Sequence, residues 1–113
     1  MMEETYRFWE KVKINGKEID MLVDTGAGSS IIRPETAEML GLTTEWEGEL
    51  KHNVGATFSS KKVRVEMELS GCKAETTLHI ADVQNDLIGA DFLRHIEAMI
   101  DMKEKKIIPH YCP

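Results

Sequence analysis

The sequence predicts a mainly β domain of about eight or nine strands with two short helices, one of them in the C-terminal half. Three observations carry this. Val63, Val65, Met67 and Leu69 alternate with Arg64, Glu66 and Glu68, the period-two pattern of a half-buried strand. Asn15-Gly16 and Ser70-Gly71 are turn dipeptides set between strand-like arms. The helical stretches are too few and too short to supply the crossovers of a βαβ fold.

The elements follow in order. Tyr6 to Ile14 mixes aromatic, β-branched and charged residues and reads as a strand. Asn15-Gly16 turns it into a second arm, Lys17 to Val23, which ends wholly apolar at Met21-Leu22-Val23 and delivers Asp24. After a glycine-bracketed turn, Ser30-Ile31-Ile32 restarts a strand. Pro34 suits the first position of a helix running to Leu40, and Gly41 closes it. Thr43 to Gly48 reads as a loop containing Trp46. Glu49 to His52 and Lys62 to Leu69 read as two arms around a small polar tip, Asn53 to Ser60. Ala74 to Ala81 forms another strand. Leu87-Ile88 is a short apolar strand that reaches Gly89, and a helix starts there with Asp91 placed to meet its free N–H groups. Ala98 to Asp101 and Lys106 to Ile108 pair as a closing hairpin.

A length of 113 residues suits one domain, 1–113, and 42% hydrophobic residues can form a core of modest size. The net charge of −6 argues against nucleic acid as a partner, because phosphate binding needs a basic stripe. The two short basic pairs, Lys61-Lys62 and Lys105-Lys106, read as solvated strand ends or turns. No apolar run is long enough to span a membrane, and Met1-Met2-Glu3-Glu4 does not open a signal peptide. Cys72 and Cys112 lie far apart, so free thiols in a reducing compartment are the simplest expectation, with a disulfide as the alternative.

The chemistry concentrates in Leu22-Val23-Asp24-Thr25-Gly26-Ala27, which occurs once. A carboxylate at the end of an apolar strand can sit on the floor of a cleft. Acid–base hydrolysis by carboxylates needs two of them, one ionised and one protonated. A chain with one such Asp finds its partner in a second copy of itself. Other signals are plainer. Gly26-Ala27-Gly28 lacks the further residues of a nucleotide loop. Ser29 and Ser30 lack a nucleophile-elbow context. His52, His79, His95 and His110 have no metal-ligand spacing. Met21, Met67 and Met99 suit core filling, and Trp9 and Trp46 suit packing anchors, with the dimer interface an equal reading for Trp9.

With Ser30-Ile31-Ile32 after the first motif, and Leu87-Ile88-Gly89-Ala90-Asp91-Phe92-Leu93 some way downstream, the chain resembles a retropepsin from about Tyr6 to Ile108. Retropepsins are the aspartic proteases of retroviruses and long-terminal-repeat retrotransposons, and the second motif is closest in style to the gypsy class. The resemblance implies a closed, antiparallel, barrel-like β domain that acts as a homodimer without cofactor or metal. Asp24 would be the catalytic carboxylate. Thr25 would bond across the two-fold axis, and Gly26 and Ala27 would complete the active-site loop. Val54, Gly55, Ala56, Thr57, Phe58 and Ser59 would form a flap over an extended peptide. Leu87 and Ile88 would pack under the active-site loop and help line the pockets. The substrate would be a peptide or the polyprotein that contains the domain. The setting would be the cytoplasm or a virus-like particle, with no membrane or nucleic-acid partner. Two departures stand out. The acidic residue that lentiviral relatives carry after Asp-Thr-Gly-Ala is Gly28 here, and the Arg after the second-motif glycine is Ala90. The pair is lost together, so no buried charge is orphaned. The alternatives are a cellular retropepsin-like domain of the ubiquitin-shuttle type, and a catalytically silent dimerisation or peptide-binding module.

Overall fold

A computed structural model describes residues 7–43, 46–51 and 57–113, with residues 46–51 and 57–59 described by their backbone alone. Nine strands and two short helices are formed among them: β1 (Phe8–Ile14), β2 (Lys17–Val23), β3 (Ile31–Ile32), α1 (Pro34–Met39), β4 (Trp46–Lys51), β5 (Thr57–Leu69), β6 (Cys72–Ile80), β7 (Leu87–Ile88), α2 (Ala90–His95), β8 (Met99–Asp101) and β9 (Lys106–Ile108). The mainly β expectation holds.

The β1–β2 hairpin forms because Asn15 (φ 50°) and Gly16 (φ 86°) both take the left-handed region, the geometry that matches strand twist in a two-residue turn. Asn15 also ties the tip to β5: its N–H donates to the Glu66 carbonyl and its side-chain oxygen accepts from the Glu66 N–H, each at 2.8 Å. Seven strands share one sheet in the order β1-β2-β7-β3-β6-β5-β4, with β1 also paired to β5 through Val12–Leu69, Lys13–Glu68 and Ile14–Met67. The pairings are mainly antiparallel, as expected, with two exceptions. β2 runs parallel to β7, and β3 parallel to β6. The chain reaches each of these partners through a long connection, and no tight turn forces opposite directions.

The inward rows of the strands build one core. Val12, Ile14, Met21, Ile32, Met67, Leu69, Leu78, Ile88, Phe92 and Ile96 are essentially inaccessible. Met21 and Met67 fill it as expected. Met99 does not, at 55% exposure, and Trp9 is also 55% exposed and anchors no core. Trp46 to Gly48, expected as loop, belongs to β4, because these residues pair with Lys62 to Ser60 and prolong the ladder. β5 accordingly begins at Thr57 and not at Lys62.

The expectation of free thiols is also corrected. Cys72 and Cys112 form a disulfide, with Cα atoms 5.5 Å apart across a sequence separation of 40. The β8–β9 hairpin returns the chain to the end of α2, where the N–H groups of His110 and Tyr111 both donate to the Ile96 carbonyl. That docking carries the tail to the start of β6. Closing a loop of this length restricts the unfolded chain, so Cys112→Ser should cost about 4 kcal/mol in urea unfolding under non-reducing conditions. An unchanged midpoint would show that the tail is held by its backbone bonds alone.

Candidate functional site

The site is assembled where β2 ends. The Leu22 N–H donates to the Asp86 carbonyl (2.8 Å) and the Asp24 N–H to the Ile88 carbonyl (3.0 Å), so the parallel ladder with β7 continues through Asp24. Asp24 Oδ1 accepts from the Gly26 N–H at 3.0 Å, and its carbonyl accepts from the Ala27 N–H at 3.1 Å. These two bonds fold Asp24-Thr25-Gly26-Ala27 into a tight loop that carries a half-buried carboxylate. Thr25 and Gly26 are exposed beside it.

The second motif grips this loop from below. The Ala27 carbonyl accepts from the Ala90 N–H at 2.8 Å. Gly89 lies so close that a Cβ there would stand 2.4 Å from the Ser29 carbonyl oxygen and 2.9 Å from that of Ala27. Its φ of −94° is ordinary, so contact with backbone, and not conformational freedom, requires glycine here. The Gly89 N–H donates to Ser30 Oγ (3.0 Å), and Ser30 Oγ donates to Asp91 Oδ1 (2.8 Å). Asp91 also accepts from the Ser30 N–H (3.1 Å) and the Phe92 N–H (2.7 Å). Asp91 therefore does more than meet the free N–H groups of its own helix: it spans 61 residues of sequence to hold the floor of the active-site loop.

Asp86 forms a second brace. It is 5% exposed and accepts from the Arg33 N–H (2.8 Å), Arg33 Nε (3.3 Å), Arg33 Nη2 (3.3 Å) and Thr36 Oγ1 (2.8 Å). The hydrogen bond to Asp86 and its charge push the Arg33 guanidinium further up from its already high range. The cluster fixes α1 to the entrance of β7 and so fixes the height of Leu87-Ile88.

The predicted site residues divide accordingly. Asp24, Thr25, Gly26 and Ala27 form one loop. Leu87 is half-buried and packs with Ile31, Ala81 and Val83 in a small apolar cluster apart from the main core. Ile88 is completely buried, so it supports the loop from within the core and presents no surface to a ligand. Val54, Gly55 and Ala56 lie outside the described residues. Thr57, Phe58 and Ser59 pair with Lys51, Leu50 and Glu49 in the β4–β5 hairpin. Ser30, Gly89 and Asp91 are legible only as members of their motifs, Asp91 as a partner of its own helix; the bonds that join them, and the Arg33–Asp86–Thr36 cluster, have no counterpart in the sequence. Their partners stand 50 or more residues away, and no local pattern marks such pairs.

A family model described as "gag-polyprotein putative aspartyl protease" matches residues 11–95. The chain belongs to the retropepsin-like aspartyl proteases. The match contains both motifs, and its limits fall within β1 and at the end of α2, so it contains every residue that shapes the loop. The retropepsin-like chain is also 27% identical over 124 residues to the UBA domain-containing protein Mud1 of Schizosaccharomyces pombe. That alignment takes in 95% of this chain and 34% of Mud1, so the chain spans about a third of the relative's length.

Proposed function

We propose that this retropepsin-like domain is one half of a homodimeric aspartic endopeptidase. The observation that carries the reading is the Asp24 loop: a half-buried carboxylate on a loop fixed by the Ile88 carbonyl above and by Ala90, Gly89 and Ser30 below. Rigid placement of this kind is what general acid–base catalysis requires. In a dimer the two Asp24 carboxylates meet across a two-fold axis and hold one proton between them. The ionised carboxylate takes a proton from a bound water, which attacks the scissile carbonyl. The protonated one polarises that carbonyl and then helps to protonate the leaving amine. The chemistry needs neither cofactor nor metal.

Three features support the shared site. Thr25 is exposed next to Asp24, where a symmetry mate would meet it. A groove of ≈ 460 Å³ begins at Thr25 and continues over Ala90, Leu93, Ala98 and Ile100, a largely apolar surface for a second copy. The paired arms β4 and β5, with Lys51 opposite Thr57, are the segment this reading assigns to the flap. The substrate would be an extended peptide held by strand-like backbone bonds, its apolar side chains against Ile31 and Leu87. Kinship with a protein named for a UBA domain supports a cellular multidomain setting over a retroelement polyprotein.

The test is cleavage of a diverse peptide library between acidic and neutral pH, with and without a statine-type transition-state analogue. Cleavage that the analogue abolishes is the expected result. Specific activity should also fall on dilution, by about half at the dimer dissociation constant. Concentration-independent activity from a sedimenting monomer would overturn the shared site. A dimer that cleaves nothing at any pH would be a silent binding module.

A further inference from the structure

Strand register places one residue from each of five strands in a single row. Leu22 pairs with Leu87, Leu87 with Ile31, Ile31 with His79, and His79 with Lys62. Register partners stand on the same face of a sheet. Asp24 lies two residues beyond Leu22 with the β2–β7 ladder still intact, so it shares that face. The row therefore runs outward from the candidate catalytic carboxylate. It begins apolar, with Leu87 and Ile31 in the cluster that also holds Ala81 and Val83. It ends polar. His79 Nδ1 lies 2.9 Å from Ser60 Oγ, with Ser60 buried and His79 and Lys62 half-buried. Lys62 is thus an inward part of β5 and not the solvated strand end that the sequence suggests.

The charges at this end are uneven. Lys62 reaches His79 from β5, Asp91 from α2, and Ile31 and Ser60 bring no charge. Asp91 is already engaged by the Ser30 N–H, Ser30 Oγ and the Phe92 N–H. Farther along the same face, Arg64 is bonded to Thr77 and Glu75. In a chain of net charge −6, Lys62 makes a local cationic spot on the cleft face, with the His79 imidazole beside it.

We propose that Lys62 and His79, with Ser60, form a subsite that selects an acidic side chain in the bound peptide. The proposal rests on the endopeptidase reading for its orientation. Three strand spacings separate β2 from β6, roughly 14 Å, and an extended peptide advances about 3.4 Å per residue. The selected side chain therefore lies about four residues from the scissile bond. Burial and Lys62 both push the His79 imidazole down from its ordinary range, against a smaller upward effect of Asp91. His79 therefore gains its charge only on acidification past its ordinary range, while a substrate Glu stays ionised to about pH 4.3. Selection is expected from Lys62 at pH 7.5 and grows as His79 gains its charge on acidification.

The experiment measures binding of fluorescent peptides, apolar but for one Glu, Gln or Lys scanned through positions up to five residues from the centre. The protein is Asp24→Asn, which cannot consume them, with cleavage by wild type in parallel. The Glu peptide should bind about threefold tighter than the Gln peptide at pH 7.5, at one position near the fourth, and the ratio should rise as the pH is lowered step by step toward about 5. Lys62→Met should bring the pH 7.5 ratio close to one. His79→Gln should keep that ratio and lose its rise on acidification, a split that a merely structural role would not produce. Equal affinity for Glu, Gln and Lys at every position, or no peptide binding at all, overturns the subsite. Cleavage without acidic preference sinks the subsite and leaves the endopeptidase. Acidic preference in a wild-type protein that cleaves nothing does the reverse.

Discussion

Asp24→Asn should abolish peptide hydrolysis while leaving the fold in place. In a homodimer one substitution alters both members of the carboxylate pair, so the group that accepts the proton of the attacking water and the group that returns it are lost together. Each such step contributes about 10²–10⁴-fold, and a fall of about 10⁴-fold or more in kcat/KM is expected. The structural cost should be small. Asn keeps a side-chain oxygen to accept from the Gly26 N–H, and the carbonyl bond to the Ala27 N–H does not involve the side chain. Asp24 is half-buried in a surface loop, so stability should change by no more than about 1 kcal/mol. Activity and urea unfolding measured on the same preparation decide the matter. Wild-type cleavage in Asp24→Asn would dispose of the mechanism.

Gly89→Ala should do the opposite, damaging the structure first and activity through it. The added methyl would stand 2.4 Å from the Ser29 carbonyl oxygen and 2.5 Å from its carbon, both main-chain atoms that cannot rotate away. Relief requires the active-site loop to lift off β7. That movement strains the 2.8 Å bond from the Ala90 N–H to the Ala27 carbonyl and the 3.0 Å bond from the Gly89 N–H to Ser30 Oγ. Overpacking of this kind costs about 3 kcal/mol, and a loop displaced by an ångström loses about 10²-fold in rate. Gly28→Ala is the matched control for stability, because a Cβ at Gly28 meets nothing within 4 Å. If Gly89→Ala unfolds at the same urea concentration as Gly28→Ala, the close approach is not a constraint.

What sequence could show depended on distance along the chain. The β1–β2 hairpin was legible because Asn15-Gly16 encodes its own turn, and β5 and β6 because their alternation is local. Asp24-Thr25-Gly26 and Leu87-Ile88-Gly89 were legible as motifs for the same reason: each places its chemistry within a few consecutive residues. The resemblance then joined the two, which composition and spacing could not do. The extra length of β4 was missed because Trp46 to Gly48 carries no strand pattern of its own and becomes a strand by pairing with β5.

The sequence by itself determined the mainly β class, the family, and the single Asp-Thr-Gly motif on which the proposal of a second copy rests. The tertiary structure decided which residues hold that carboxylate. Ser30 and Asp91 stand 61 residues apart, Arg33 and Asp86 53, and Cys72 and Cys112 40, yet each pair is in contact. The antiparallel β3–β7 pairing brings the first two pairs together, and the returning β8–β9 hairpin brings the third. A hydrogen bond or disulfide between distant residues leaves no periodicity in the chain. It exists only once the strands between have chosen their partners, and that choice is made by the whole core at once.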